Sequence, residues 1–346
     1  MTEYASPPPS PSANIPPENA GVCIAGTGMG LPAKVLTNED LSKIVDTSDE
    51  WIRPRTGIAQ RYLADRTEHT SDLAAAAVSQ ALVNAGLEPS DLDLLLCATM
   101  TPDLVCPATA CRVVDKIGAV PCGAMDLNLA CTGFVAALTT ASAFIRSGYC
   151  CHVAVVGADC LSKIVNWEDR TTCILFGDAA GAAIVSRSED PMQSCLYQQL
   201  CSDGSQWASL YVPRSEHDLP PNGQQPFEGK YNTLQMNGRE VFKFAVNALR
   251  NSVSNALKAT NLTAGDIKMV IPHQSNIRIL TTAWKKLGFD DDKIYVNIDR
   301  YGNTSAASVA LCLHELTEQG RLTQGDYVIF VAQGGGLTWG TSLWRL

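Results

Sequence analysis

The chain has 346 residues, 46% of them hydrophobic and 18% charged, with a formal net charge of −9. That length exceeds one small core and implies two packed units or one large duplicated one. The composition is ordinary for a soluble α/β protein; no apolar run reaches the roughly eighteen residues of a membrane span, and the acidic balance argues against nucleic acid as a partner.

Residues 1–20, MTEYASPPPSPSANIPPENA, are rich in Pro and Ser and lack a basic or an apolar targeting region, so they read as a disordered tail. Next come two matching stretches at an offset of 175: ALVNAGLEPSDLDLLL (81–96) and ALKATNLTAGDIKMVI (256–271). Each predicts a helix end, a turn and an apolar strand that runs into a polar segment, CATMTPD or PHQSN. The segments 125–148 and 295–320 repeat a strand, a short turn and a helix ending at Gly148 or Gly320. Aligning those glycines, at an offset of 172, sets Cys131 opposite Asn303. Strands HVAVVGAD and DYVIFVAQGGG follow the two helices.

Duplicated βαβ-type halves with apolar central helices predict an α/β fold in which helix and sheet layers enclose an interior helix layer. The expected divisions are a tail at 1–20, a first half at 21–200, a connecting loop segment at 201–233 and a second half at 234–346.

There are thirteen cysteines, with no CxxC pair and no histidine at zinc-ligand spacing, so no metal site is expected. Cys97, Cys150, Cys151 and Cys312 sit in apolar runs, where a thiol acts as a small hydrophobe. The odd count without a secretory leader suggests a reducing, cytoplasmic setting. Cys131 is placed differently, at the amino end of a buried central helix, where free N–H groups and the helix dipole are expected to favour a thiolate. His273 ends the strand MVIPH, and Asn303 begins the partner helix, so the topology brings a Cys, a His and an Asn together. The other histidines, His69, His152, His217 and His314, read as surface or packing residues. The closing GGGLTWG (334–340) supplies backbone that a ligand can approach closely.

The segments DTSDEWIRPRTGI (46–58), ACTGF (130–134), FGDAAGAA (176–183), PHQSNIRI (272–279), DRYGNTSAAS (299–308) and GGGLTWG resemble β-ketoacyl-acyl carrier protein synthase III. The likeness runs in order from about residue 21 to the end, apart from parts of 190–233. It implies the thiolase-like fold, five layers in the order α-β-α-β-α, and the initiating condensation of type II fatty-acid synthesis. In that family's scheme Cys131 takes an acyl group from acyl-CoA, and His273 and Asn303 stabilise the enolate formed as malonyl-acyl carrier protein loses carbon dioxide. The N–H groups of Cys131 and Gly335 would form the oxyanion hole. Thr47, Trp51, Arg55, Arg170 and Asn276 correspond to CoA-binding positions, and Cys106, Phe176 and Gln333 to the acyl pocket. Lys243, Arg278, Lys285 and Lys286 correspond to the carrier-protein docking face. The family acts without metal or redox cofactor and as a homodimer, with Cys106 reaching the partner's pocket.

Two positions depart from the pattern: Gln333 replaces the usual aromatic beside the thiol, and Arg239 stands where some members carry Asn. Cys106 replaces a bulky Phe common in the family, which implies room for primers longer than acetyl. Cys–His–Asn is also the order of papain-like proteases, but their CGSCW-type context is absent and a duplication has no place there. A specialised acyltransferase or condensing enzyme of secondary metabolism is the nearer alternative. A silent subunit would be expected to lose Cys131 or His273.

Overall fold

The computed structural model describes residues 20–220, 229–285 and 287–346, so the expected tail up to residue 19, part of the connecting segment and Lys286 lie outside the described residues. Two sheets carry the duplication. In the first, the strand order is Gly21–Gly30, Ala179–Ser188, His152–Asp159, Leu94–Ala98, Gly123–Leu127. In the second it is Ser194–Ser202, Thr338–Arg345, Tyr327–Gly334, Ile267–Pro272. Read from the first-named strand, both sheets have two antiparallel pairings and then a parallel one. The fifth position of the second sheet shrinks to a single parallel bridge between Val270 and Ile294. Strand Ser194–Ser202, which crosses the residue-200 boundary read from the sequence, is hydrogen-bonded into the second sheet.

Alternation along the strands builds the layers. Leu94, Leu96 and Ala98 pack with the central helices Gly133–Arg146 and Ala307–Glu318, whereas Leu95 and Cys97 pack with the outer helices Thr70–Ala85 and Thr109–Ile117. In the second sheet Val328, Phe330 and Ala332 face the same central helices. Ile329 and Val331 face the helices Gly238–Thr260 and Ile277–Trp284. The sequence is therefore apolar on both faces of these strands, as a sheet covered on both sides requires. The expected five layers are present.

Small residues set how closely the layers approach. A Cβ on Gly26, Gly28 or Gly30 would lie 2.4, 2.2 or 2.1 Å from a carbonyl oxygen of helix Thr70–Ala85. Beyond the layers, the short strands Lys34–Thr37 and Gln60–Leu63 and the helices Asn38–Ser42 and Asp49–Thr56 form a cap. Its Leu36, Leu41, Ile52 and Ile58 pack against Leu161, Val165, Ile174 and Phe176, covering the end of the layers where the loops converge.

Candidate active site

Cys131 lies in the short 3-10 turn Ala130–Thr132 that leads directly into helix Gly133–Arg146. Ala130 has φ 47°, and Ser305, before the paired central helix, has φ 50°. Matching these two left-handed residues sets Cys131 against Ala306, not Asn303, because the second helix starts later relative to its strand. The turn is tied to the second half: Thr132 Oγ1 lies 2.9 Å from Thr338 Oγ1, and a Cβ on Gly334 would fall 2.8 Å from the Cys131 nitrogen. Only glycine lets that backbone come so near Cys131.

The expected thiolate is not the resting form. Burial pushes the Cys131 thiol up to about 12, against a hydrogen bond from Ser305 that lowers it, and the carboxylate of Asp159 adds to the rise. Withdrawal from water costs the anion more than the helix terminus returns.

His273 follows strand Ile267–Pro272, and its backbone N–H continues the ladder to the Val331 carbonyl at 2.8 Å. The ring is fully buried, which lowers its pKa to about 3 and leaves it neutral near pH 7. Its Nδ1 is 2.7 Å from Ser308 Oγ, which is also 2.9 Å from the Ser305 carbonyl. Ser308 has one proton for these two acceptors: directed to the ring it makes Nε2 a donor, directed to the carbonyl it makes Nε2 an acceptor. Asn303 is clamped by its backbone, which donates to the Leu175 carbonyl at 2.8 Å and accepts from the Gly177 N–H at 3.0 Å. Its Oδ1 accepts from the Ser305 N–H at 2.9 Å, so its NH2 is the group left to offer a ligand.

Cys131, His273 and Asn303 line one cavity of about 920 Å3, which opens toward the exposed Arg55 and Arg278. Phe176, Gln333, Gly335, Trp51 and Asn276 line it as well. Trp51 is held by the Ser48 cap of its helix, and the guanidinium carbons of Arg55 and Arg170 lie 4.7 and 5.2 Å from its ring centre. Thr47 is off the cavity lining, with a buried hydroxyl that has no partner among the described residues. Cys106 is exposed and off the lining of its own chain, where its neighbour Val105 contributes instead. Arg239 joins Arg55 and Arg278 around a shallow cavity of about 300 Å3 at the mouth. Among the expected docking cations that are described, only Arg278 lines the main cavity; Lys243 lines an adjacent groove, and Lys285 is exposed beyond helix Ile277–Trp284.

Several residues that position the site have no signature in the sequence. Gln274 bridges the Pro272 and Tyr295 carbonyls and accepts from the Asn297 N–H. Glu315, on the second central helix, accepts from Tyr295, Asn297, Tyr301 and both terminal nitrogens of Arg300, and so anchors the loop that leads to Asn303. Asp159 Oδ1 accepts from the Met100 N–H at 2.8 Å and from Thr99 and Thr101, holding the turn beneath Cys131. Glu315 and Asp159 are polar residues inside apolar stretches, and only their distant partners explain them.

Residues 257–346 match the family described as 3-oxoacyl-[acyl-carrier-protein (ACP)] synthase III C terminal, and residues 125–204 match 3-oxoacyl-[acyl-carrier-protein (ACP)] synthase III. The beta-ketoacyl-[acyl-carrier-protein] synthase III of Caldanaerobacter subterraneus subsp. tengcongensis is 47% identical over 326 residues, covering 94% of this chain and 98% of the relative. The enzyme of that name from Xylella fastidiosa is 47% identical over 93% of this chain and 97% of its own. The crystal structure of 3-oxoacyl-[acyl-carrier-protein] synthase III from Aquifex aeolicus is 43% identical and superimposes with a TM-score of 0.87, covering 94% of this chain and all of that one. With that likeness running through both halves, the chain belongs to the β-ketoacyl-[acyl-carrier-protein] synthase III family of acyltransferases.

Proposed function

We propose that the chain joins an acyl-CoA primer to malonyl-acyl carrier protein by decarboxylative condensation, giving 3-oxoacyl-acyl carrier protein, CoA and carbon dioxide, the initiating step of type II fatty-acid synthesis. The observation that carries this reading is the meeting of Cys131, His273 and Asn303, from three separate elements of two halves, in one deep cavity.

In the first half-reaction the Cys131 sulfur attacks the primer's thioester carbonyl. The oxyanion is held by the N–H groups of Cys131 and Gly335, the carbon–sulfur bond to CoA breaks, and the proton of Cys131 ends on the departing CoA sulfur. In the second, the malonyl carbon–carbon bond breaks, carbon dioxide leaves, and the electron pair moves onto the thioester as an enolate. His273 Nε2–H and the Asn303 NH2 donate to that oxygen. The new carbanion then bonds to the acyl carbon, the carbon–sulfur bond to Cys131 breaks, and the released thiolate takes a proton from solvent water. A neutral imidazole suits this task, since a charged one would cost too much in so dry a place. No metal or redox group enters the scheme.

Trp51, Arg55 and Arg170 would take the adenine and phosphates of CoA, with Thr47 and Asn276 as further contacts. Lys243, Arg278, Lys285 and Lys286 would face the acidic carrier protein. A homodimer is supported by the partly exposed edge strand Gly123–Leu127, which leaves ladder groups open to a second copy, and by Val105 at 99% exposure beside Cys106. A cytoplasmic setting fits the thirteen unpaired thiols; among the described residues no helix is long and apolar enough to cross a membrane.

Intact-mass measurement after incubation with a series of acyl-CoAs tests the reading. One acyl adduct is expected, mapped to Cys131 and absent from Cys131→Ala. His273→Ala and Asn303→Ala should still acylate but lose carbon dioxide release from malonyl-acyl carrier protein. An adduct on Cys106, Cys160 or Cys173 would overturn the assignment.

A further inference from the structure

Gln333 is the last residue but one of strand Tyr327–Gly334, and a Cβ on the next residue, Gly334, would fall 3.3 Å from the Cys131 Cβ. The side chain is only 4% exposed yet lines the reaction cavity. Its Nε2 donates to Ser275 Oγ at 3.1 Å, two residues beyond His273. Its Oε1 is buried and has no partner among the described residues. An unpaired buried amide oxygen is costly, and a native chain that keeps one has a use for it.

The amide belongs to the wall of the cavity that Cys131 and His273 share. Rotated by half a turn, it accepts from the Ser275 hydroxyl and puts its NH2 in place of the orphaned oxygen. We infer that Gln333 binds the carboxylate of the second substrate, so that the site selects a carboxylated thioester over an uncharged one. This rests on the condensation proposed above. There the carboxyl-bearing carbon must lie between the acyl group on Cys131 and a thioester oxygen at His273, which brings the carboxylate within reach of this amide. As the carbon–carbon bond breaks, negative charge leaves the carboxylate for the thioester oxygen, and the hydrogen bond to Gln333 is lost. The contact therefore stabilises the bound substrate more than the transition state. It improves recognition and slows the chemical step.

The test is steady-state carbon dioxide release from malonyl-acyl carrier protein by the full-length protein, with acetyl-acyl carrier protein as a competing uncharged thioester. Replacing the amide by the near-isosteric Gln333→Met should raise KM roughly tenfold and raise kcat with it, leaving kcat/KM within about threefold of the parent. The competitor should inhibit this variant more strongly than the parent. Gln333→Glu, which sets two carboxylates together, should raise KM beyond the Met variant. An unchanged KM in Gln333→Met, or kcat and kcat/KM falling together, would overturn the inference while condensation stands. A parent protein that releases no carbon dioxide from malonyl-acyl carrier protein would remove the condensation reading, and the inference with it.

Discussion

Cys131 and His273 are both neutral at rest, for one physical reason. Each is withdrawn from water without a full opposite charge beside it, so the ionised form of each is disfavoured. Alkylation of Cys131 by iodoacetamide should therefore still be accelerating at pH 10, since its titration lies near 12. A rate that levels off near pH 7 would mean that an ion pair forms in solution. His273 also ties stability to pH. Its pKa falls from 6.5 to about 3 on folding, so the unfolded chain takes up a proton first and stability is lost as pH drops below 6.5. Between pH 7 and pH 5 that linkage is worth about 2 kcal/mol. Urea unfolding should give His273→Asn a correspondingly shallower decline, and equal slopes would count against the buried neutral ring. The identity of the three central residues was legible in short motifs. Their protonation was not, because it depends on how completely other segments cover them.

At the scale of elements, the segment from Tyr295 to Asn303, which includes the short helix Ile298–Tyr301, gathers four of its side chains on one carboxylate. Glu315 gathers Tyr295, Asn297, Arg300 and Tyr301, and the Arg300 side chain remains 43% exposed. Glu315→Ala leaves those donors without their acceptor, at an expected cost of about 3 kcal/mol, the lower end for a broken buried pair because Arg300 is partly solvated. Chemical denaturation measures that loss. Since the same segment leads to Asn303, decarboxylation should fall well before Cys131 acylation does. An unaltered unfolding midpoint would show that the anchor is idle. The sequence alone gave the helix carrying Glu315 an apolar pattern and offered no reason for a carboxylate within it. The reason lies in four side chains that the fold folds back across it.

At the scale of the whole molecule, the edge strand Gly123–Leu127 and the exposed loop holding Leu104, Val105 and Cys106 predict a dimer. Sedimentation should give twice the chain mass, 37.0 kDa per copy. In such a dimer Cys106 would close the partner's acyl pocket, and the small thiol leaves room for longer primers, each buried methylene adding about 0.8 kcal/mol. Cys106→Phe should shift preference toward acetyl-CoA in competition assays with a longer acyl-CoA. If the parent accepts acetyl-CoA alone and the variant behaves identically, Cys106 does not gate the pocket.

What the sequence determined by itself was whatever depends on local order. Alternating apolar strands, small-residue helices, glycine stops and a repeat at 175 residues defined two equivalent halves, and the motifs around Cys131, His273 and Asn303 singled out three residues that line one cavity. Tertiary structure decided what depends on distant groups meeting. It assigned strand Ser194–Ser202 to the second sheet, because pairing with Thr338–Arg345 is a choice between partners that periodicity does not encode. It turned the expected thiolate into a thiol, because desolvation by both halves outweighs one helix terminus. It also set Gln333, in the sequence only an odd residue before three glycines, in the wall of the cavity with its amide bonded to Ser275. A side chain's environment is made by segments far away in the chain, and only folding brings them together.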